Sequence, residues 1–505
     1  MPNSLTTLSA CELRDLLASR TVSSVEVCAA FLDRIAAVDP DVGAFLAVSR
    51  PDVLAQAEAV DRKRQKGERV GRLAGLPVAV KDMIVTRGLQ TTCGSRILKG
   101  FVPPYDAHVV ERIRQEDGIV LGKTNLDEFA FGSSNENSAF KPCRNPWSLE
   151  HVPGGSSGGS AAAVVAGMAP LALGTDTGGS VRQPASLSGV VGVKPTYGRV
   201  SRYGVVAFAS SLDQCGPMAM TTRDAAMLLS VIAGPDPRDA TCAPTPAPDF
   251  EATLGRDIRG LRIGVPREYF GAPDLPVDAE VASTVRAALA RLEGLGACIQ
   301  EVGLPHSQHA IPVYYVVAVA EASSNLARFD TLRYGPRLPP SGDDVSSFYL
   351  HARGRLLGTE AKRRIILGTF ALSAGYYDAY YAKAMKVRTL IRKDFEDAFA
   401  RCDLLAAPAS PVPGFRLGQC VDDPLTMYQM DILTVPANLA NIAGMSVPAG
   451  FSASGLPIGL QLLAPPFAEE RMLQAAYAFE AVSGVAGARP PDPMPRSASG
   501  RQEAP

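Results

Sequence analysis

Two glycine- and serine-rich loops dominate the stretch from Gly154 to Ala185 and constrain the fold more than any other feature. The first loop reads GGSSGGS from Gly154, the second reads GTDTGGS from Gly174, and a small-residue apolar segment separates them. Glycine adopts backbone conformations that other residues avoid, and it lets a ligand approach the main chain closely. Because both loops present serine hydroxyls, the pattern favours a reaction centre over a flexible linker.

The composition of the 505-residue chain is that of a soluble globular protein, with 46% hydrophobic and 20% charged residues. This length predicts two or three domains, or one large α/β unit. A formal net charge of -1 provides no overall electrostatic attraction to nucleic acid. The net charge does not exclude a local basic patch or an RNA-binding partner. No stretch reaches about 18 uninterrupted apolar residues, so neither a transmembrane helix nor a membrane partner is expected.

Nine cysteines are scattered without a CxxC pair, which argues against a zinc site and against a disulfide scaffold. Scattered cysteines fit a reducing compartment, and the amino-terminal MPNSLTTLSACELRDLL lacks the basic and apolar regions of a signal peptide. We therefore expect a cytoplasmic protein. No histidine lies near a GxSxG elbow and no HExxH occurs, so a Ser-His-Asp hydrolase is not the first interpretation and no metal site is predicted.

Alternating strand and helix patterns predict an α/β fold with a single large mixed, mostly parallel central sheet covered by helices on both faces. Amphipathic helices at 8–19, 23–38 and 51–66 would form a helical lead-in, residues 1–70, packed on a core domain over 71–485. Residues 124–129 are typical of a capped helix start, residues 360–400 look largely helical, and 234–258 is either a linker or a long surface loop. The tail, residues 486–505, has little to bury and is predicted to be disordered.

Ser180 is the candidate nucleophile for cleaving an amide. It follows Gly178-Gly179 at the predicted start of a helix, where the backbone N–H groups of Thr177, Gly178, Gly179 and Ser180 are available to hold an oxyanion. Such a serine needs those donors, an acceptor for its own proton, and a proton for the leaving amine. Taken alone, a GxxGGS run is more often a turn or an anion site.

Lys81 is the candidate base, because it directly follows the apolar strand pattern at 76–80. Burial beside an apolar strand lowers a lysine pKa, and a neutral lysine accepts a proton. Ser156 of the first loop would bridge the two groups, so that the proton moves from Ser180 to Ser156 to Lys81 and returns to the leaving ammonia. A strand-end lysine alone is more often a solvated charge, so the hypothesis depends on the three residues occurring together.

The run GGSSGGS followed by GTDTGGSVRQPA resembles the amidase signature family, as does GLPVAVKD from Gly75, which fits the family pattern G-x-P-x-x-x-K-D. The resemblance implies an α/β fold with a mixed central sheet. It also implies a Ser–cis-Ser–Lys triad in which Ser180 forms the acyl-enzyme, Ser156 follows a cis peptide and Lys81 is the base. The sequence departs from the family pattern at Met83 and at 441–445, and neither departure is expected to touch the triad.

The segments 321–330, 362–381 and 423–436 extend the resemblance to one branch of the family, the glutamine-hydrolysing subunits of tRNA-dependent amidotransferases. This branch implies that ammonia from glutamine converts Glu-tRNA(Gln), or also Asp-tRNA(Asn), on a partner subunit. It implies a pocket in which Arg364 binds the α-carboxylate and Asp431 binds the α-ammonium of glutamine, with Tyr315 lining the pocket. Arg363, next to Arg364 in a Lys-Arg-Arg run, stays open as the alternative carboxylate ligand.

Partners and cofactors follow from the same resemblance. It implies a B-type tRNA-binding subunit that uses ATP and Mg²⁺, and a small C-type subunit that completes a heterotrimer. No cofactor is expected on this chain, which contains no P-loop GxxxxGK[ST], and tRNA would be contacted mainly through the partner. The alternative activity is that of a stand-alone amidase acting on a small amide. A scaffold without turnover is disfavoured by the intact Lys81, Ser156 and Ser180.

Overall fold

An eleven-stranded sheet forms the centre of the computed structural model, which describes residues 5–272, 275–338 and 344–492. Across the sheet the strands, numbered in chain order, follow the order β1-β3-β2-β4-β6-β5-β10-β11-β9-β7-β8. Their bounds are β1 Phe45–Ala47, β2 Pro77–Lys81, β3 Ile119–Thr124, β4 Leu171–Asp176, β5 Val191–Lys194, β6 Gln214–Ala219, β7 Arg262–Pro266, β8 Cys298–Val302, β9 Leu404–Pro408, β10 Ala443–Phe451 and β11 Pro457–Ala464.

Helices surround this sheet. Their bounds are α1 Ala10–Ala18, α2 Ser24–Val42, α3 Arg50–Gln65, α4 His108–Gln115, α5 Gly158–Val165, α6 Arg182–Ser188, α7 Thr222–Ile232, α8 Ala279–Gly294, α9 Ala310–Leu326, α10 Val345–Leu356, α11 Thr359–Ala371, α12 Lys383–Phe399, α13 Pro424–Gln429, α14 Val435–Leu439 and α15 Glu469–Glu480. Strand β2 shows that both faces are covered. Val78 and Val80 lie in one buried core with Leu229 of α7, whereas Ala79 lies in another with Ala163 of α5.

The direction of the strands differs from the prediction in the middle of the sheet. Parallel pairings join β3 to β2 and β2 to β4 on one flank, and β9 to β7 and β7 to β8 on the other. All pairings from β4 through β6, β5, β10 and β11 to β9 are antiparallel. The mixed sheet is confirmed, but its mostly parallel character is wrong.

The error arises in the middle of the sheet, where three strands lack a strand-like sequence pattern. Strands β5, β6 and β10 carry Gly192, Gly216, Pro217 and other residues that are atypical of strands. Strands β10 and β11 are joined by the short connection 452–456, and a connection of that length permits only antiparallel pairing.

The predicted lead-in helices are present as α1, α2 and α3, and the lead-in also supplies β1, which pairs antiparallel with β3. The helix predicted at 124–129 is wrong: only a short 3-10 turn, Glu128–Ala130, forms there. The difference lies in Asp127. Its carboxylate accepts from the backbone N–H groups of Asn135 and Asn137 instead of capping a helix. The region 360–400 is helical as predicted, but it is divided into α11 and α12.

The stretch 234–258 is a surface loop anchored to the core rather than a linker. Phe250 is fully buried within it, and Asp249 lies 2.6 Å from an Arg72 nitrogen. The first residues of the tail are also ordered, because Arg489 donates to backbone carbonyls at the end of α5, at 3.3 and 3.4 Å. The predicted disorder is therefore wrong for 486–492, and residues 493–505 lie outside the described residues. Among the helices of the described ranges, none has the length and apolar character to cross a bilayer.

A fully buried ion pair joins the central strands to the second half of the chain. Arg182 at the start of α6 pairs with Asp176 at the end of β4, with 3.0 Å between Nη2 and Oδ1. Arg182 also donates to the Thr434 carbonyl at 3.0 Å, to Gln461 Oε1 at 2.7 Å and to Asn438 Oδ1 at 2.6 Å. Burial opposes ionisation of Asp176, but the guanidinium outweighs it and lowers the pKa of that carboxyl to about 2.

Replacing Arg182 with methionine should lower the free energy of unfolding by about 3–5 kcal/mol, because a buried carboxylate loses its partner. Urea unfolding followed by circular dichroism measures this change. The matched control is Arg392→Met, which removes an exposed pair with Glu396 on α12 and should change stability little. Equal effects of the two substitutions would contradict a structural role for the buried pair.

Candidate active site

Lys81 ends β2 in a fully buried position, and hydroxyl groups surround its amine. Its Nζ lies 2.8 Å from Ser156 Oγ, 2.9 Å from Ser157 Oγ and 2.9 Å from Thr175 Oγ1. Burial lowers the pKa of Lys81 to about 7, although nearby carboxylates, foremost Asp127, favour the charged amine. The structure therefore brings two of the three predicted residues into contact, and the amine exchanges a proton near neutral pH.

Ser156 lies in the loop before α5, and a cis peptide bond joins it to Gly155. The side chain of Ser156 is fully buried. Only glycine fits at position 155, because a Cβ there would lie 2.2 Å from a carboxylate oxygen of Asp127. The Gly155 N–H donates to Gln183 Oε1 at 3.0 Å, which attaches this loop to helix α6.

Ser180 lies between the end of β4 and the start of α6, and 6% of its surface is exposed. Its carbonyl accepts from the Ser157 N–H at 3.1 Å, so the two glycine-rich loops lie side by side. The predicted helix start is confirmed, with α6 beginning two residues later at Arg182. The proton path from Ser180 to Ser156 stays a prediction.

Hydrogen bonds fix the peptide planes that precede Ser180. The Gly178 carbonyl accepts from the Thr434 hydroxyl at 2.7 Å, and the Gly179 carbonyl accepts from the Gln183 N–H at 2.8 Å. In a trans peptide the N–H points opposite to the C=O, so the N–H groups of Gly179 and Ser180 point away from these partners. Gly179 has a φ of 141°, and a Cβ there would lie 2.1 Å from Thr434 Oγ1, so no other residue fits.

Thr177, the first residue of the predicted oxyanion loop, is anchored through its side chain. Its hydroxyl donates to Asp213 Oδ1 at 2.7 Å. The Asp213 carboxylate also accepts from the backbone N–H groups of Phe208 and Ala209. Burial raises the pKa of Asp213 to about 6. The loop from Thr177 to Ser180 is thus fixed at both of its ends.

Arg364 lies on α11 within a buried cage of aromatic rings. Its guanidinium carbon is 5.1 to 5.7 Å from the ring centroids of Phe131, Phe208, Tyr315 and Tyr428. Aromatic rings at these distances attract a cation electrostatically. Tyr315 stacks on Tyr428 with the ring centroids 3.9 Å apart, and its hydroxyl lies 3.5 Å from Arg364 Nη2.

Glu360 distinguishes the two adjacent arginines. It accepts from Arg364 Nε at 2.8 Å and also pairs with Arg363. The side chain of Arg363 is 40% exposed, whereas that of Arg364 is 4% exposed. The geometry therefore favours Arg364 over Arg363 as the ligand for a buried carboxylate.

Asp431 lies between α13 and α14, and its carboxyl group is buried. Its Oδ2 accepts from the Ser133 hydroxyl, whereas its Oδ1 has no hydrogen-bond partner among the described residues. Burial raises the pKa of Asp431 to about 7, although Ser133 and Arg364 oppose that shift. An unsatisfied buried acceptor of this kind is a favourable place for an ammonium group.

A cavity of about 440 Å³ opens onto this region. Its lining includes Glu360, Arg364 and Tyr428, together with Glu128 and Ser134. The cavity therefore reaches the aromatic cage of Arg364, whereas Asp431 and the two serines are not among the residues that line it.

The site residues that sequence reasoning missed include Ser133, Ser157, Thr175 and Gln183. Ser157 stands beside Ser156 in the same loop, and Thr175 and Gln183 lie within the run GTDTGGSVRQPA, so each gave a weak signal. Ser133 lies in no motif that the sequence analysis identified. Met83, one of the predicted departures from the family pattern, lies closer than expected, since its sulfur is 3.1 Å from Thr175 Oγ1.

Within the described ranges, no group of three or more His, Cys, Asp or Glu side chains has an arrangement that could hold a metal ion.

A family model described as Amidase matches residues 26–473. The chain belongs to the amidase family. The A subunit of the glutamyl-tRNA(Gln) amidotransferase of Moorella thermoacetica is 58% identical over 473 residues, which cover 94% of this chain and 96% of that protein. The protein of the same name from Roseiflexus castenholzii is 56% identical over 476 residues, with coverages of 94% and 96%.

Solved structures agree with the fold of this amidase. The A subunit of the glutamyl-tRNA(Gln) amidotransferase from Thermotoga maritima matches with a TM-score of 0.80 and 43% identity, covering 96% of this chain and 97% of that one. A bacterial aryl acylamidase of the amidase signature family matches with a TM-score of 0.83 and 27% identity, covering 96% and 99%. The resemblance seen in the sequence is confirmed, and the roles of the individual residues stay predictions.

The pH dependence of stability tests the burial of Lys81. An unfolded lysine keeps its proton up to about pH 10.5, whereas the folded Lys81 releases it near pH 7. Between these values the unfolded state binds one proton more, so stability should rise with pH by about 1.4 kcal/mol per unit relative to Lys81→Met. Below pH 7 the penalty for the buried charge is fully present. Urea unfolding of both proteins from about pH 7.5 to about pH 9.5 measures this slope. A pH-independent difference would contradict the lowered pKa.

Proposed function

We propose that this amidase is the glutamine-hydrolysing subunit of a tRNA-dependent amidotransferase. The observation that carries the proposal is that a buried arginine, Arg364, acts electrostatically on a buried carboxyl group, Asp431, which Ser133 and Gln183 connect to the loop of Ser156. Free glutamine carries an α-carboxylate and an α-ammonium, so this pocket complements both ends of the amino acid. The names of the relatives, which are A subunits of glutamyl-tRNA(Gln) amidotransferases, support the same conclusion.

In the proposed complex, the α-carboxylate of glutamine binds Arg364 and the α-ammonium binds Asp431. The unpaired Oδ1 of Asp431 would gain its missing partner, and the incoming cation would favour the ionised carboxylate. Tyr315 would line the pocket through its hydroxyl near Arg364. With both charges held, the side-chain amide would extend toward Ser180.

The reaction then follows from the protonation state of Lys81. The neutral amine takes the proton of Ser156, which takes that of Ser180, and Ser180 Oγ attacks the amide carbon. The N–H groups of the loop Thr177–Ser180 would stabilise the oxyanion; removing one such donor typically costs about 3 kcal/mol. The proton returns along the same path to the leaving nitrogen, and ammonia departs. Water then hydrolyses the γ-glutamyl ester on Ser180 and releases glutamate.

The proposal assigns the remaining chemistry to partner subunits. A B-type tRNA-binding subunit would use ATP and Mg²⁺ to activate the glutamyl group of Glu-tRNA(Gln), or the aspartyl group of Asp-tRNA(Asn). The ammonia would amidate that group, and a small C-type subunit would complete a heterotrimer in the cytoplasm. This chain itself would bind glutamine and no cofactor, and tRNA would contact it mainly through the B-type partner.

A stand-alone amidase that acts on a neutral amide is the second candidate. The shared fold of the aryl acylamidase favours it, since one scaffold supports both activities. The two candidates differ in their need for charge in the pocket. Arg364 would contribute nothing to the binding of a neutral amide, whereas the binding of glutamine would depend on it.

Replacing Arg364 with alanine should raise the KM for glutamine by about 10- to 100-fold, because a charge-assisted hydrogen bond contributes about 1.5–3 kcal/mol. The KM for a neutral amide such as butanamide should change far less. Steady-state release of ammonia measures both values. Arg363→Ala is the matched control and should alter neither KM much, since that side chain is half exposed. Equal losses on both amides would contradict a carboxylate-binding role.

Purification from the native cell tests the assembly. A tag on this chain should recover a tRNA-binding, ATP-hydrolysing partner and a small third protein in equal amounts, and glutamine should drive amidation of misacylated tRNA. Omitting ATP should stop the amidation of tRNA without preventing glutamine hydrolysis by this chain. A monomer with broad amidase activity and no partner would support the second candidate instead.

A further inference from the structure

Gln183 is the second residue of α6, and its buried side chain has no place in the triad or in the predicted pocket. We propose that Gln183 is the positioning residue that holds Ser156 against Ser180 and connects both serines to Asp431. This inference rests on the proposed function for the role of Asp431. The contacts that carry it involve three segments that are distant in the sequence.

The first contact reaches the loop of Ser156. Gln183 Oε1 accepts from the Gly155 N–H at 3.0 Å. Gly155 is joined directly to Ser156, whose hydroxyl lies 2.8 Å from Lys81 Nζ. The Gln183 amide therefore fixes the orientation of the chain immediately before the proposed proton relay.

The second contact reaches the loop of Ser180, through the main chain of the same residue. The Gln183 N–H donates to the Gly179 carbonyl at 2.8 Å. That carbonyl belongs to the peptide whose N–H is on Ser180, so the orientation of a predicted oxyanion donor depends on it. One residue thus holds both serine loops, one by its side chain and the other by its backbone.

The third contact reaches the pocket. Gln183 Nε2 donates to the Ser133 carbonyl at 2.9 Å, and the Ser133 hydroxyl donates to Asp431 Oδ2. A continuous chain of contacts therefore runs from Asp431 through Ser133 and Gln183 to Gly155. An ammonium group on Asp431 would strengthen the Ser133 anchor, so correct binding of glutamine would also secure the position of Ser156.

The buried side-chain amide of Gln183 forms a hydrogen bond through its oxygen and another through its nitrogen. Replacing this side chain therefore tests both contacts. Leucine at position 183 keeps the volume roughly but leaves the Gly155 N–H and the Ser133 carbonyl without partners. A displacement of a reacting group by about 1 Å costs up to about 100-fold in rate. The hydrogen bond from the Gln183 N–H to the Gly179 carbonyl does not involve the side chain and should be kept. The loss of activity should therefore come from displacement of Ser156.

The expected result for Gln183→Leu is a kcat lowered by about 10- to 100-fold on both glutamine and butanamide, with the KM for butanamide little changed. The full-length chain is assayed with the subunits that co-purify with it. Gln56→Leu is the matched control, because the Gln56 amide also bonds to backbone groups at both ends but contacts β3, away from the serine loops. This control should retain the wild-type kcat.

Gln183→Glu gives a second readout, taken over the pH range in which circular dichroism shows the variant to be folded. A protonated glutamic acid donates to the Ser133 carbonyl and accepts from the Gly155 N–H, as the amide does. An ionised carboxylate at position 183 has no proton to donate to the Ser133 carbonyl, and its negative charge would repel that carbonyl oxygen. Burial raises a carboxyl pKa, so the change occurs near neutral pH. The kcat of Gln183→Glu relative to wild type should therefore rise as the pH is lowered from about 8.5 to about 6.5.

A wild-type kcat in folded Gln183→Leu, or a Gln183→Glu ratio that does not vary with pH, would overturn the proposal. Failure of the proposed function gives a different pattern. If the wild type hydrolyses butanamide but not glutamine, the function is wrong, and butanamide alone decides the role of Gln183. If the wild type hydrolyses neither amide, both proposals fail.

Discussion

The charge state of the Lys81 amine is the constraint on which the rest of the site depends. Among the described residues two further lysines, Lys123 and Lys194, are buried, and burial lowers the pKa of each of them as well, that of Lys194 to about 7. Lys123 lies 3.2 Å from an Asp82 carboxylate oxygen, and Lys194 donates to backbone carbonyls. Only Lys81 of these three contacts a serine of the glycine-rich loops. A lowered pKa therefore does not single out Lys81 as the proposed base; its contact with the Ser156 hydroxyl does.

The second half of the chain completes what the glycine-rich loops begin. Arg182 follows the loop of Ser180 and donates to the Thr434 carbonyl, while the Thr434 hydroxyl donates to the Gly178 carbonyl. Asp431 lies three residues before Thr434, so one short segment both supports the loop of Ser180 and supplies the proposed ammonium ligand. The proposed ammonium ligand and the support of the Ser180 loop therefore come from the same segment of the chain.

The sequence predicted structural features that depend on residues close together in the chain. Amphipathic periodicity located the lead-in helices α1, α2 and α3, and the glycine-rich loops pointed to Ser156 and Ser180 as candidates. It was insufficient where one residue acts through distant partners, as Gln183 and Ser133 do. It also could not separate Arg363 from Arg364, because adjacent residues on a helix differ by direction, and only packing shows which of them enters the aromatic cage. The antiparallel centre of the sheet was missed because its strands contain glycine and proline.

The central claim is that glutamine is cleaved through a covalent intermediate on Ser180. The most direct measurement is rapid acid quenching of the enzyme during turnover of glutamine, followed by peptide mass spectrometry. The account predicts a γ-glutamyl ester on the peptide that contains Ser180, and its absence when Ser180 is replaced by alanine. An ester on Ser156 or on another residue would contradict the account, as would steady ammonia release by Ser180→Ala.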